Sequence, residues 1–99
     1  MTPLFSVRTI PHFDRQLKAL TRRHTELPDR YAEALEILKS DPYNRSRLHH
    51  IKKLEGVQQG EGQYRLSLRR WRFRYDIYSQ EVVLTYCGLR REDTYRKHP

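Results

Sequence analysis

Residues 63–77 read Gln-Tyr-Arg-Leu-Ser-Leu-Arg-Arg-Trp-Arg-Phe-Arg-Tyr-Asp-Ile. Apolar and polar side chains alternate in two runs. Tyr64, Leu66 and Leu68 are separated by Arg65 and Ser67; Trp71, Phe73, Tyr75 and Ile77 are separated by Arg72, Arg74 and Asp76. A period of two belongs to a strand with one buried and one solvated face. Only Arg69-Arg70 lies between the runs, so they are expected to pair as an antiparallel hairpin. Burial fixes the register, because a slip of one residue would put the arginines into the core. The other face then collects Arg65 and Ser67 from one strand and Arg70, Arg72 and Arg74 from the next.

The rest of the fold follows outward from this hairpin. Tyr78-Ser79-Gln80 makes the next turn, and Val82 to Cys87 is a strand apolar on both faces, hence internal to the sheet; Gly88 ends it. Upstream, residues 44–62 are polar and rich in glycine, and read as a loop carrying His49, His50, Lys52 and Lys53. Before that loop the period changes to that of helices. Pro11 suits a first helical turn, and Phe13, Leu17 and Leu20 follow on one face. Leu27-Pro28 opens a second helix with Tyr31, Ala34, Leu35 and Leu38, which Asp41-Pro42 stops. Phe5, Val7 and Thr9 alternate with Ser6 and Arg8 as a short first strand. The expected order is βααβββ: an α+β fold in which an N-terminal helical hairpin packs on a small antiparallel sheet.

Composition narrows the class. The 99 residues suit a single domain spanning 1–99, large enough for one core without disulfides or metal. Twenty Lys and Arg against twelve Asp and Glu give a net charge of +8, which implies an anionic partner. The single Cys87 excludes an internal disulfide or a cysteine zinc cluster and fits a reducing compartment. No apolar run reaches membrane-spanning length and no signal-peptide core follows Met1, so a cytoplasmic protein with no membrane partner is expected.

The densest candidate for chemistry is the set Arg65, Arg69, Arg70, Arg72 and Arg74. Guanidinium forks match phosphate oxygens bidentately, and a bound anion would relieve their mutual repulsion. The alternative is a solvated face whose charges only aid solubility. His49 and His50 are a tandem pair able to exchange protons near neutral pH, or plain loop residues. Lys52 and Lys53 could hold phosphate or simply solvate their loop. No ligand spacing for a metal appears, and no cofactor motif. Trp71, Tyr86 and Cys87 read as core residues.

The ordered set Phe13-x-x-x-Leu17-Lys18-x-Leu20, Asp41-Pro42, Lys53-Leu54-Glu55-Gly56, Tyr64-Arg65-Leu66, Trp71-Arg72-Phe73-Arg74-Tyr75-Asp76-Ile77, Val82-Val83-Leu84 and Gly88-Leu89-Arg90-Arg91-Glu92-Asp93-Thr94-Tyr95 resembles the RelE/ParE superfamily of toxins from type II toxin–antitoxin modules. The resemblance is distributed over about residues 5–96. It implies the βααβββ fold and one of three functions. RelE-like members are endoribonucleases that cleave mRNA, usually on the ribosome, by attack of the 2′-OH on the adjacent phosphate without a metal. ParE-like members inhibit DNA gyrase without catalysis. A third kind of relative retains only antitoxin binding.

For the first function the resemblance makes Arg72 a transition-state stabiliser. Arg65 takes the place of a family lysine, Arg90 that of a phosphate-binding or acid group, and Tyr95 that of a residue orienting substrate. Ser67 stands where a second lysine occurs, which leaves His49, His50 and Glu61 as possible proton-transfer groups. Lys52, Lys53, Arg69, Arg70 and Arg74 would bind mRNA or rRNA. The implied partners are a cognate antitoxin, mRNA and the ribosome, with gyrase replacing the RNA under the ParE-like alternative.

Overall fold

The computed structural model describes residues 4–90. Strand β1 (Ser6–Thr9) leads into helices α1 (Pro11–Thr21) and α2 (Leu27–Ser40), followed by β2 (Ile51–Lys53), β3 (Tyr64–Leu68), β4 (Trp71–Tyr78) and β5 (Glu81–Leu89). The five strands form one sheet in the order β1-β5-β4-β3-β2. Both helices cover one of its faces.

Local chemistry sets the element ends. Ile10 is extended (φ −106°, ψ 159°), as the residue before a proline must be, and Pro11 occupies the first turn, where its missing N–H is no loss. Asp41, with φ −151° and ψ 58°, takes α2 out of helical geometry before Pro42. Phe13, Leu27, Ala34 and Leu38 descend from the helices onto Leu66, Trp71, Phe73, Tyr75, Ile77, Val82, Leu84 and Cys87. Tyr31 stacks on Phe73 with centroids 6.4 Å apart, joining α2 to the middle strand. The buried Tyr75 hydroxyl donates to the Pro42 carbonyl at 2.7 Å, so the chain leaving α2 is tied to β4. Burial pushes this phenol well above its usual range.

The β3–β4 hairpin has the expected register: Arg65 opposes Arg74, Leu66 opposes Phe73, Ser67 opposes Arg72 and Leu68 opposes Trp71. The sheet differs from the sequence expectation in two ways. It is mixed, because β1 runs parallel to β5, with Val7 opposite Val82 and Thr9 opposite Leu84. Alternation in a four-residue strand carries no information about the direction of its neighbour. It also has a fifth strand within the segment read as loop. Ile51, Lys52 and Lys53 pair with Leu66, Arg65 and Tyr64. One apolar side chain beside two lysines shows no period, and the exposed lysines suit a short edge strand that must not recruit another chain.

Candidate functional site

The sheet face away from the helices carries two cross-strand rows. Lys52, Arg65, Arg74 and Tyr86 are successive partners across β2, β3, β4 and β5, as are Ser67, Arg72 and Gly88 across β3, β4 and β5. The Ser67 N–H donates to the His50 carbonyl at 2.8 Å, which extends the second row to His50 at the sheet edge. His50 is thus placed opposite Ser67, on the other side of β3 from Arg72. Arg90 continues beyond β5, its N–H donating to the Arg70 carbonyl at 2.8 Å. Of the candidate residues, Arg65, Arg72, Arg74, Lys52 and His50 therefore share this face, with Arg90 at its end. Tyr95 lies outside the described residues.

The guanidiniums are anchored. Arg72 Nη1 donates to the carbonyls of Arg69 and Trp71, both at 2.9 Å, which draws it toward the hairpin turn. Arg74 Nε and Nη2 donate to the carbonyls of Gly62 (3.1 Å) and Glu61 (3.0 Å). These two bonds hold the loop before β3 against the face. Asp76, in phase with Arg72 and Arg74 but 1% exposed, completes the clamp by accepting the N–H groups of Gly62 (2.9 Å) and Gln63 (3.0 Å). Gly62 has φ +78°, and a Cβ there would stand 2.7 Å from Thr85 Oγ1. Only glycine lets the loop come so close. Glu61 is thereby brought to the rim of the arginine face; its own Oε1 accepts the Gln58 N–H at 3.2 Å.

Asp76→Ala is expected to leave a buried N–H of Gly62 without its acceptor. The cost is about 1–3 kcal/mol, together with release of the loop and of Arg74. Urea denaturation and hydrogen exchange at Gly62 and Gln63 check this; unchanged protection at both amides would show that the carboxylate does not hold the loop.

Four candidates lie elsewhere. Arg70 was expected beside Arg72 and Arg74, but it sits in the turn and reaches to the helix side. There its Nε and Nη2 donate to Glu26 Oε2 at 3.2 and 2.7 Å, and Nη2 lies 3.1 Å from His24 Nδ1. Strand alternation does not extend into a turn, and Glu26 supplies the opposite charge. Arg70 is therefore removed from the phosphate-facing set. Lys53 also points to the helix side, with Nζ 5.8 Å from the Tyr64 ring. His49 turns toward Asp41, Nε2 to Oδ2 3.9 Å. Burial pushes the Asp41 carboxyl up, but hydrogen bonds from Ser46 and from the Arg45 N–H outweigh it and hold the group below its usual range. Arg69 is exposed at the turn with φ 55°.

Glu26 accepts a third bond, from the Trp71 indole Nε1 at 3.1 Å. Chiefly through the Arg70 bond, its carboxyl is held down at about 2 instead of 4.5. Because the folded value is the lower one, the contact is fully present above about 4.5 and is lost as pH falls toward 2. The chain has one tryptophan, so its indole N–H resonance is identified without ambiguity. That resonance is expected to stay fixed down to pH ~4 and to move between there and ~2; a midpoint near the ordinary glutamate value would contradict the geometry.

Tyr86 is a member of the face that the sequence reading assigned to the core. The β4–β5 register shifts between Arg74 and Tyr75, so that Arg74 opposes Tyr86 while Tyr75 opposes Leu84. The extra residue, Thr85, turns Tyr86 to the arginine side, where a Cβ on Gly88 would run into its phenol. A bulge has no reliable signature in sequence. Asp76 did leave a signal, as the one acid in phase with the arginines of β4.

Among the described residues no three His, Cys, Asp or Glu side chains gather as metal ligands. No helix among them is long and apolar enough to cross a membrane. No family model matches the chain, and no curated protein matches it. Solved structures do. A chain of the archaeal RelE-RelB complex from Pyrococcus horikoshii OT3 superposes with a TM-score of 0.63 at 22% identity, covering 88% of this chain and 96% of that one. A chain of the RelB-RelE antitoxin-toxin complex from Methanococcus jannaschii gives 0.54 at 16% identity, covering 92% and 98%. At such identities the likeness is one of architecture, and in that sense two helices on a five-stranded mixed sheet give this chain a RelE-like fold.

Proposed function

We propose that this chain is the toxin of a type II toxin–antitoxin module and acts as a RelE-like endoribonuclease that cleaves mRNA on the ribosome and stops translation. The observation that carries this reading is the pair of rows His50–Ser67–Arg72 and Lys52–Arg65–Arg74 on one face of a RelE-like fold. Attack of a 2′-OH on the neighbouring phosphate needs a base, cations for the equatorial oxygens and an acid for the leaving 5′-oxygen. Arg72 and Arg65 supply the cations. His50, across from Ser67, would accept the 2′-OH proton that serine cannot take; Glu61 at the rim is the second candidate. Arg90 and, from the resemblance alone, Tyr95 would bind or orient the scissile phosphate. Lys52, Arg69 and Arg74 would hold flanking RNA, and an acidic antitoxin segment would compete for the same face.

Induced expression with radiolabelled amino acid and thymidine tests the proposal. Prompt loss of protein synthesis, with new 5′ ends in mRNA, is the expected result. Loss of DNA synthesis instead would make the chain a gyrase inhibitor, and loss of neither would leave an antitoxin-binding protein.

A further inference from the structure

Residues 42–53 carry a surface that the arginine rows do not use. This segment holds Arg45, Arg47, Lys52 and Lys53 and no acid. Its backbone is held in place. The Asp41 carboxylate accepts the N–H groups of Arg45 (2.8 Å) and Ser46 (3.2 Å) and the Ser46 hydroxyl (2.6 Å). Asn44 brackets His49, donating to its carbonyl at 2.8 Å and accepting its N–H at 3.1 Å. On this frame Tyr43 is 40% exposed, edge-on to Phe5 and to Tyr64 at 6.1 and 6.0 Å. The Arg45 guanidinium lies 5.0 Å above the Tyr43 ring, and Lys53 Nζ lies 5.8 Å from the Tyr64 ring.

From this arrangement we infer a second contact for single-stranded RNA on the helix side of the β2 edge, where a base stacks on Tyr43 and Arg45 and Lys53 hold the flanking phosphates. An exposed ring already covered by a cation is a face that accepts a flat group; the arginine yields it and keeps a phosphate within reach. The negative face of the ring gives a carboxylate nothing, which favours RNA over an acidic peptide. The edge is only one short strand thick. Lys52 and Lys53 are successive residues on its two sides, so a chain leaving the Arg65–Arg74 row past Lys52 meets Lys53 as it rounds the edge.

The inference rests on the proposed RNA-cleaving function, and the experiment separates the two. Affinity is measured by fluorescence anisotropy with a 2′-O-methyl oligouridine, which cannot undergo 2′-OH attack, and with an abasic oligomer of equal length. Tyr43→Leu is expected to weaken oligouridine binding about tenfold and abasic binding little, with Tyr43→Phe restoring it. Arg45→Ser combined with Lys53→Ser, both surface changes, is expected to flatten the plot of log affinity against log salt by about 0.7 for each lost phosphate contact. Unchanged affinity and slope in the double variant overturn the inference, as does equal loss for both oligomers in Tyr43→Leu. Tighter binding of a polyglutamate peptide than of RNA, abolished by the double variant, would assign the patch to an acidic protein and also overturn it. Cleavage of ordinary RNA by the unmodified chain is scored separately and decides only the parent reading.

Discussion

Trp71→Ala is expected to lower the stability of the fold by about 3–5 kcal/mol, the usual cost of truncating a buried aromatic. Domains of this size retain only about 5–15 kcal/mol in all, so the loss is a large share of the total. The indole is 1% exposed, begins β4 and fills the corner where the β3–β4 turn meets the helical hairpin. Three contacts converge on it there. His24 stands edge-on at 5.1 Å, the Arg70 guanidinium covers it at 5.8 Å, and Glu26 accepts its N–H at 3.1 Å. Removing the indole leaves a cavity and loosens the link between the two layers at that end. Trp71→Phe keeps most of the volume and deletes only the donor. Because Arg70 still satisfies Glu26, that change should cost nearer 1 kcal/mol. Urea midpoints followed by circular dichroism distinguish the two variants. A Trp71→Ala protein with an unchanged midpoint and impaired RNA binding would make the indole a base-stacking platform instead.

What could be read from sequence was whatever rests on local physics. The β3–β4 hairpin followed from burial and the short turn, since a slip of one residue would bury Arg65, Arg72 and Arg74. The helix starts at Pro11 and Leu27 followed from the geometry of proline, and the internal position of β5 from Val82, Val83 and Leu84 being apolar in succession. What could not be read was set by contacts distant in the chain. Strand β2 exists because β3 offers Ile51, Lys52 and Lys53 its free edge, not because those residues favour a strand. The parallel course of β1 is decided by where β5 lies. Tyr86 joins the arginine face because one residue is inserted into the β4–β5 ladder, and Arg70 leaves it because Glu26, forty-four residues earlier, is within reach. The same distinction holds for the site. The arginine rows were visible as a period of two. The loop clamp of Asp76, Gly62 and Arg74 and the place of His50 opposite Ser67 needed the third dimension.

Arg72→Ala is expected to reduce RNA cleavage by on the order of 10²–10³, and growth inhibition with it, while leaving the domain folded. The side chain stands on the helix-free face, in the middle of the row from His50 to Gly88. Its Nη1 is anchored on the carbonyls of Arg69 and Trp71, which fixes the guanidinium plane before substrate arrives. A donor already positioned where negative charge develops on the phosphate stabilises the transition state with little reorganisation. The Arg69 carbonyl lies in the exposed turn and the Trp71 carbonyl is part-buried, so losing their partner should cost about 1 kcal/mol. Arg72→Lys separates charge from geometry. It restores the cation but not the planar fork, and should recover only part of the rate. The contrast with His50→Ala is informative as well. Loss of the proposed base should remove the limb of the pH–rate profile that depends on it, whereas loss of Arg72 should lower the rate at every pH. If Arg72→Ala, expressed at equal level and with an unchanged urea midpoint, still cleaves RNA at full rate, the reacting phosphate does not sit over this row and the arginine face serves only to bind.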